Sequence, residues 1–449
     1  MAERLIVVGA DAAGMSAASQ ARRRRDHRDL QILAFERGVH TSYSACGIPY
    51  WIGGLVEDQD DLVARTPQQH RERDIDVRTG HTVTAIDLER RSVTANGESH
   101  HFDQLVIATG GEPVLPDWPG INGKGVHGVQ TLDDGDAVSA TLAERDARRA
   151  VVIGGGYIGV EMAEALIRKG LQVTLLERSP QPMTTLDPDM GELVAAMLEK
   201  FDIDVRTGVT VQGLELDDEG WARTVRTDAG EFAADIVVLG VGTRPRVELA
   251  RAAGLPIGPS GGIVTDRRMR VPGHEGIWAA GDCVEVRHRV TDQPTAIPLG
   301  THANKQGRVA GINIGGGYAT FPGVVGTAVT KACDLEIART GLQEKEAEKA
   351  GFAYVTAKIE SHNIAGYYPG AETMTIKILA EKGTGRLLGA QIVGGSGAAK
   401  RIDVLAVALW NEMTVDEMTG LDLGYAPPFS PVWDPVLVAA RAASDAVRK

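Results

Sequence analysis

The sequence is poor in cysteine: three occur in 449 residues, at Cys46, Cys283 and Cys333. They lie far apart without zinc-ligand spacing, so neither a disulfide framework nor a metal site is expected. Positive charge is also short. Against 60 acidic residues stand 47 basic ones, a formal net charge of −13, and a nucleic-acid partner is not expected. No run is apolar and long enough to span a bilayer, so no membrane association is expected. A strand is under way by Leu5, which leaves no room for a secretory leader. These shortages together point to a reducing cytoplasm.

Glycine, by contrast, is plentiful. Its 54 residues gather at the ends of apolar segments rather than in repeats, as they would where backbone approaches phosphate. The length exceeds what one hydrophobic core supports, so two to four domains are expected.

Residues 4–9 read as a short buried strand. A glycine turn follows, then a small-residue helix from Ala12 to about Arg22, then a second strand over 30–35 ending at Glu36. The same order recurs at 150–177: an apolar strand, Gly154-Gly-Gly-Tyr-Ile-Gly159, a helix through Lys169, and a strand over 172–176 ending at Glu177. Two further apolar segments, 105–110 and 236–242, end in glycine and close one unit each. They bring Ala108, Thr109, Gly110 and Gly242 to the strand ends. After residue 322 alternating segments such as 374–380 and 387–393 suggest an antiparallel sheet, with helices near 397–419. Arg22 to Arg25 form a basic run, read as a solvated helix end or as a contact for an anionic substrate.

The doubled β-α-β pattern suits two dinucleotides. A pyrophosphate needs glycines that let backbone approach and a helix N-terminus; a carboxylate about 20 residues on can bind ribose hydroxyls. Gly9, Gly14 and Glu36 supply these in the first unit, although Asp11 stands where the middle glycine belongs. Gly154, Gly156, Gly159 and Glu177 supply the full set in the second. A carboxylate at Glu177 favours NADH over NADPH, while Arg178 and Arg168 could receive a 2′-phosphate. Both nucleotides therefore stay open.

Gly276-Ile-Trp-Ala-Ala-Gly-Asp-Cys-Val-Glu285 resembles the second flavin motif of two-dinucleotide flavoproteins. With the two glycine loops it makes the chain resemble the pyridine nucleotide–disulfide oxidoreductase family over essentially its whole length. Ser42-Tyr-Ser-Ala-Cys-Gly-Ile-Pro-Tyr50 carries one cysteine, as in the single-cysteine branch of coenzyme A–disulfide reductases, NADH oxidases, NADH peroxidases and polysulfide reductases. The resemblance implies an α/β fold: two Rossmann-like dinucleotide-binding domains plus a C-terminal α+β dimerisation domain. Residues 1–115 and 245–322 would bind FAD, 116–244 NAD(P)H, and 323–449 would form a homodimer. It further implies FAD at Gly9, Ala12, Ala13, Gly14, Glu36, Arg37, Ser44, Ala108, Thr109, Gly110, Asp282, Thr301 and Ala303. NADH or NADPH would lie at Gly154, Gly156, Tyr157, Ile158, Gly159, Glu161, Glu177, Arg178 and Gly242. Tyr157 would gate the nicotinamide pocket.

One cysteine can cycle as a mixed disulfide, a sulfenic acid or a persulfide, and Cys46 is the expected redox thiol. Ala12 stands where the oxidases and peroxidases of the branch carry histidine, which argues against peroxide and oxygen chemistry. Tyr425-Ala-Pro-Pro-Phe-Ser-Pro-Val-Trp-Asp-Pro435 and Gly366-Tyr-Tyr-Pro-Gly370 are similar to segments of coenzyme A–disulfide reductases. There two tyrosines of the partner subunit approach the cysteine, and Tyr425 and Tyr367 match them. The expected activity is reduction of a small disulfide, coenzyme A disulfide foremost. A persulfide or polysulfide reductase, an NADH oxidase, and a reductase feeding a protein partner are the alternatives. Coenzyme A would need cations for its phosphates, and Arg22, Arg23 and His302 are available.

Overall fold

The computed structural model describes residues 2–449. Two five-stranded parallel sheets share one plan. In the first, the strands run in the order Ile277–Ala279, Gln104–Ile107, Glu3–Val8, Leu30–Phe35, Ile75–Arg78. In the second the order is Val126–Gly128, Ile236–Leu239, Arg149–Ile153, Gln172–Glu177, Asp204–Thr207. Each glycine loop thus leaves the central strand of its sheet. Leu5–Val8 and Ala150–Ile153 are buried throughout, as expected of parallel strands covered on both faces. The closing strands stop at Ile107 and Leu239, short of the glycines that the sequence placed at their ends. Gly110 and Gly242 lie beyond them in left-handed turns.

Before the closing strand of each unit lies a three-stranded antiparallel sheet: Val83–Asp87, Ser92–Ala95 and Glu98–His101 in one, Val211–Leu216, Ala222–Thr227 and Gly230–Ala233 in the other. Sequence reading missed both, because their strands are short and mostly polar. Ile277–Ala279 returns the chain to the first sheet, and Val247, Leu255 and Ile263 join its core.

The last unit is a five-stranded antiparallel sheet ordered Ala328–Ala332, Leu335–Gly341, Leu387–Gly394, Thr373–Glu381, Tyr354–His362. Helices Ala398–Trp410 and Pro435–Val447 bury apolar faces against it. The second helix was not read from the sequence; Asp434 caps it and Pro435 opens it. Segment 184–189 fastens this unit to the second sheet's unit. Arg339 and Lys345 each donate to a carbonyl, of Thr185 and Thr184 respectively, both at 2.8 Å. Lys377 Nζ lies 3.1 Å from Asp187, 2.8 Å from Asp189 and 2.9 Å from Glu344. Among the described residues no helix is long and apolar enough to cross a membrane.

Candidate active site

Both glycine loops are locked in the same way. Gly9 and Gly154 have φ of +96° and +99°, and a Cβ on them would meet the carbonyls of Ala108 and Gly240 at 2.1 and 2.4 Å, so neither position accepts a side chain. Glu36 Oε2 accepts from the Ala10 N–H at 2.8 Å and Oε1 from Gly38 at 3.0 Å. Glu177 does likewise for Gly155 and Ser179, both at 2.7 Å. A carboxylate has about four lone-pair sites, so each keeps acceptor capacity for a hydroxyl. Helices Ala12–Arg22 and Tyr157–Arg168 start beyond these loops with no side-chain cap, leaving N–H groups free for an anion.

Cys46 sits in a single helical turn, Ala45–Gly47, preceding the short helix Ile48–Ile52. It is the exposed cysteine; Cys283 and Cys333 are buried. Cys283 Sγ faces the carbonyls of Ala280 and Ile107 and packs as a small core residue. Loss of hydration, then the carboxylates of Glu161 and Asp282, push the Cys46 thiol above its ordinary range. Glu161 Oε1 accepts from Thr330 Oγ1 at 2.5 Å. Tyr157, four residues earlier, has a buried hydroxyl beside that of Thr185 with no hydrogen bond of standard geometry.

A cavity of about 500 Å³ opens between helices Ala12–Arg22 and Gly300–Ile314 and reaches Ser42, Tyr43 and Ser44 of the cysteine segment. Arg23, Arg65, Lys305 and Arg308 line it, against a single acid, Asp11. Two expected phosphate ligands are elsewhere. Arg22 is spent on the carbonyls of Arg25, Leu30 and Asp74. His302 has Nδ1 3.2 Å from the Ile297 carbonyl, and burial lowers its pKa, so it stays neutral at pH 7. Arg168 ends its helix, is exposed, and donates its Nε to the Gly53 carbonyl at 3.4 Å. Arg178 stays exposed beside Glu177. The tyrosines singled out in the sequence lie side by side, the Tyr367 phenol next to that of Tyr425. Both are exposed, at 78% and 49%, and neither is among the groups acting on Cys46 of the same chain.

The profile of the pyridine nucleotide-disulphide oxidoreductase family matches residues 3–307, and that of its dimerisation domain matches 327–435. The chain belongs to this family. It is 38% identical to the NAD(P)H coenzyme A polysulfide/persulfide reductase of Pyrococcus horikoshii, over 98% of each chain. It is 36% identical to an NADH oxidase of Methanocaldococcus jannaschii, over 99% of each. The structure of a NAD-dependent persulfide reductase from A. fulgidus superposes with a TM-score of 0.95 at 40% identity, covering 98% of this chain and 83% of that one.

The protein is therefore an oxidoreductase that uses FAD and NAD(P)H, and its residues fit both groups. Gly14 and Gly159 pack so closely on Gly9 and Gly154 that a Cβ would lie 1.9 Å from a carbonyl oxygen, which presses each helix N-terminus onto its loop. Burial alone pushes Asp282 to about 6, as suits a carboxyl placed to meet hydroxyls rather than water. Asp11 is the one departure from the fingerprint. Its side chain turns to the cysteine segment and accepts from the Tyr43 N–H at 3.2 Å. Burial raises it from 3.8 to about 6, opposed by that hydrogen bond and reinforced by Glu36.

A raised carboxyl binds its proton more tightly folded than unfolded, so Asp11 stabilises least above pH 6 and its penalty grows between pH 4 and 6. Asp11→Asn keeps the acceptor and removes the charge. It is expected to stabilise the flavin-free chain by about 2–3 kcal/mol at pH 7 and by little at pH 4. Urea titrations at both values measure this; equal differences at the two would show that Asp11 does not titrate as described.

Two features of the site escaped sequence reading. Arg65, Lys305 and Arg308 carry no local motif and converge only through helix packing. Thr330 and Tyr50 sit in segments distant from Glu161 in sequence. Asp11 was noticed as a misfit, and its hydrogen bond supplies the reason.

Proposed function

We propose that this chain is an FAD-dependent NAD(P)H reductase of coenzyme A–linked disulfides, working through one redox thiol, Cys46. The observation that carries the reading is the cationic cavity that runs to the cysteine segment. Arg23, Arg65, Lys305 and Arg308 suit a ligand bearing several phosphates, and the wall at Ser42–Ser44 brings its thiol end toward Cys46. Coenzyme A persulfide satisfies the same cavity and is the second reading, favoured by the persulfide reductases among the similar proteins.

In this reading FAD lies across residues 1–115 and 245–322. Gly9, Ala12, Ala13 and Gly14 meet its pyrophosphate, Glu36 and Arg37 its adenosine half, Asp282 its ribityl chain. Ser44, Ala108, Thr109, Gly110, Thr301 and Ala303 line its remaining length. Residues 116–244 take the nicotinamide nucleotide through Gly154, Gly156, Ile158, Gly159 and Gly242. Glu177 favours the free 2′-hydroxyl of NADH over a 2′-phosphate, with Arg178 as the nearby cation. Tyr157 covers the nicotinamide pocket, and Glu161 borders it. Bound FAD passes two electrons from the nicotinamide to sulfur.

The chain's own task is to hold Cys46 open to a disulfide and to govern protons. The Cys46 thiolate attacks one sulfur of the substrate, the other leaves as a thiolate, and a mixed disulfide remains. Tyr425 and Tyr367 of the partner subunit donate to the leaving thiolate. Residues 323–449 form the homodimer that brings them there, in a reducing cytoplasm.

Anaerobic NADH consumption with coenzyme A disulfide, coenzyme A persulfide, polysulfide or no acceptor tests the reading. Turnover with coenzyme A disulfide, and a rise in its KM of about tenfold in Arg65→Ala or Arg308→Ala, are expected, since a charge-assisted hydrogen bond contributes about 1.5–3 kcal/mol. Turnover with the persulfide alone selects the second reading. Turnover with neither coenzyme A compound removes both and leaves oxygen, polysulfide or a protein as acceptor.

A further inference from the structure

Glu161 lies one turn into helix Tyr157–Arg168. Its carboxyl meets Thr330 Oγ1 at 2.5 Å from strand Ala328–Ala332. The phenol of Tyr50, on helix Ile48–Ile52, lies near the Thr330 hydroxyl, and burial and then Glu161 raise its pKa. Tyr50 in turn feels the charge of Cys46, one turn before it, and Cys46 feels that of Glu161. Carboxyl, hydroxyl and phenol from three distant segments are thus gathered beside the helical turn that carries the redox sulfur.

The surroundings suit a stored proton. Burial raises Glu161 from 4.5 to about 7; the Thr330 hydrogen bond opposes the rise and the Glu164 carboxylate adds to it. Glu164, on the same helix, is already engaged by the Cys333 N–H at 2.8 Å. The strand offers Thr330, Lys331 and Cys333, and Lys331 is exposed and does not act on Glu161. The short helix and its lead-in offer Tyr50 and Cys46. No cation counters Glu161 among the described residues that act on it, so burial carries it to about 7, where it can both give and regain a proton near neutral pH.

We propose that Glu161 is the internal proton reservoir for reductive opening of the mixed disulfide, acting through Thr330 and Tyr50. This rests on the proposed Cys46 cycle and adds a proton source within the same subunit as the cysteine. Two electrons from NAD(P)H enter the Cys46–S–S–R bond, which breaks. R–S takes the Glu161 proton and leaves as a thiol, Cys46 remains a thiolate, NAD(P)+ is formed, and the proton carried in the hydride is released to solvent. Glu161 is left as carboxylate and regains its proton from solvent. A thiol with an ordinary pKa of about 8.5 leaves poorly as an anion at pH 7 from a site that already holds carboxylates.

The test is single-turnover reduction of coenzyme A disulfide by the NADH-reduced holoenzyme between pH 5.5 and 8.5. In the wild type the rate is expected to fall about tenfold per unit above pH 7, as an acid of that pKa empties. Glu161→Gln is expected to be about a hundredfold slower at pH 6.5 and flat with pH, while Glu161→Asp regains the slope. Thr330→Val removes the hydroxyl without changing charge, and it should lose the slope with FAD content unchanged. A second readout is the Cys46 thiolate absorbance: removing the Glu161 charge should lower the pH at which it appears. An unaltered alkaline limb in Glu161→Gln or in Thr330→Val overturns the reservoir while the Cys46 cycle stands. No disulfide turnover in the wild type overturns both.

Discussion

Cys46→Ser is expected to lose at least about a thousandfold in disulfide-dependent NADH consumption, about 4 kcal/mol of barrier, while keeping bound flavin and its stoichiometric reduction by NADH. The reason is chemical. A serine hydroxyl forms no mixed disulfide, and no other cysteine can replace it, because Cys283 and Cys333 are buried. The glycine loops, Glu36, Glu177 and Asp282 do not depend on the sulfur, so both nucleotides should bind as before. Anaerobic stopped-flow separates the steps: flavin bleaching with NADH, then its recovery on adding coenzyme A disulfide. Recovery within tenfold of the wild-type rate would falsify the role given to Cys46. A variant that neither bleaches nor recovers, with its flavin intact, would place the defect in hydride transfer instead.

The second large effect concerns the seam between units rather than the chemistry. Lys377 has 6% of its side chain exposed and Asp187 has 2%. Burial works against the ammonium, yet hydrogen bonds to Asp189, Glu344 and Asp187 outweigh it and raise its pKa. Asp187 also accepts from Gln391 Nε2 at 2.7 Å and from the Glu344 N–H at 2.9 Å. Lys377→Ala leaves Asp187 charged and enclosed, and is expected to cost about 3–5 kcal/mol. Asp189 and Glu344 are each about a third exposed, so water relieves them and most of the cost falls on Asp187. Lys377→Met combined with Asp187→Asn should recover much of the loss, because the unpaired charge is removed. Urea midpoints of the three proteins decide this; equal midpoints for Lys377→Ala and the wild type would show that the seam carries no such energy. Hydrogen exchange in segment 184–189 should rise first in Lys377→Ala.

The core pattern of both nucleotide units was legible because it is local. A parallel strand buried on both faces must be an apolar run, and the turn after it must be glycine where a Cβ would strike a carbonyl. Leu5–Gly9 and Val151–Gly154 show both requirements within a few residues. The same locality explains Glu36 and Glu177, which follow their loops by one helix and one strand. The short polar strands at 83–101 and 211–233 were missed because they carry no clear period, and the amphipathic helix Pro435–Val447 because a proline-rich segment precedes it.

The sequence by itself determined the duplicated α/β plan, the two glycine loops after the central strands and the cysteine segment, since each is a short-range steric or chemical requirement. Only the tertiary structure decided which cations share the cavity with Arg23, and that Arg22 and His302 do not. It alone brought Glu161 to Thr330 near Tyr50, and set Tyr367 beside Tyr425. Such groupings depend on how helices and strands pack across more than a hundred residues of chain, and a side chain's reach is set by that packing, not by its neighbours in sequence.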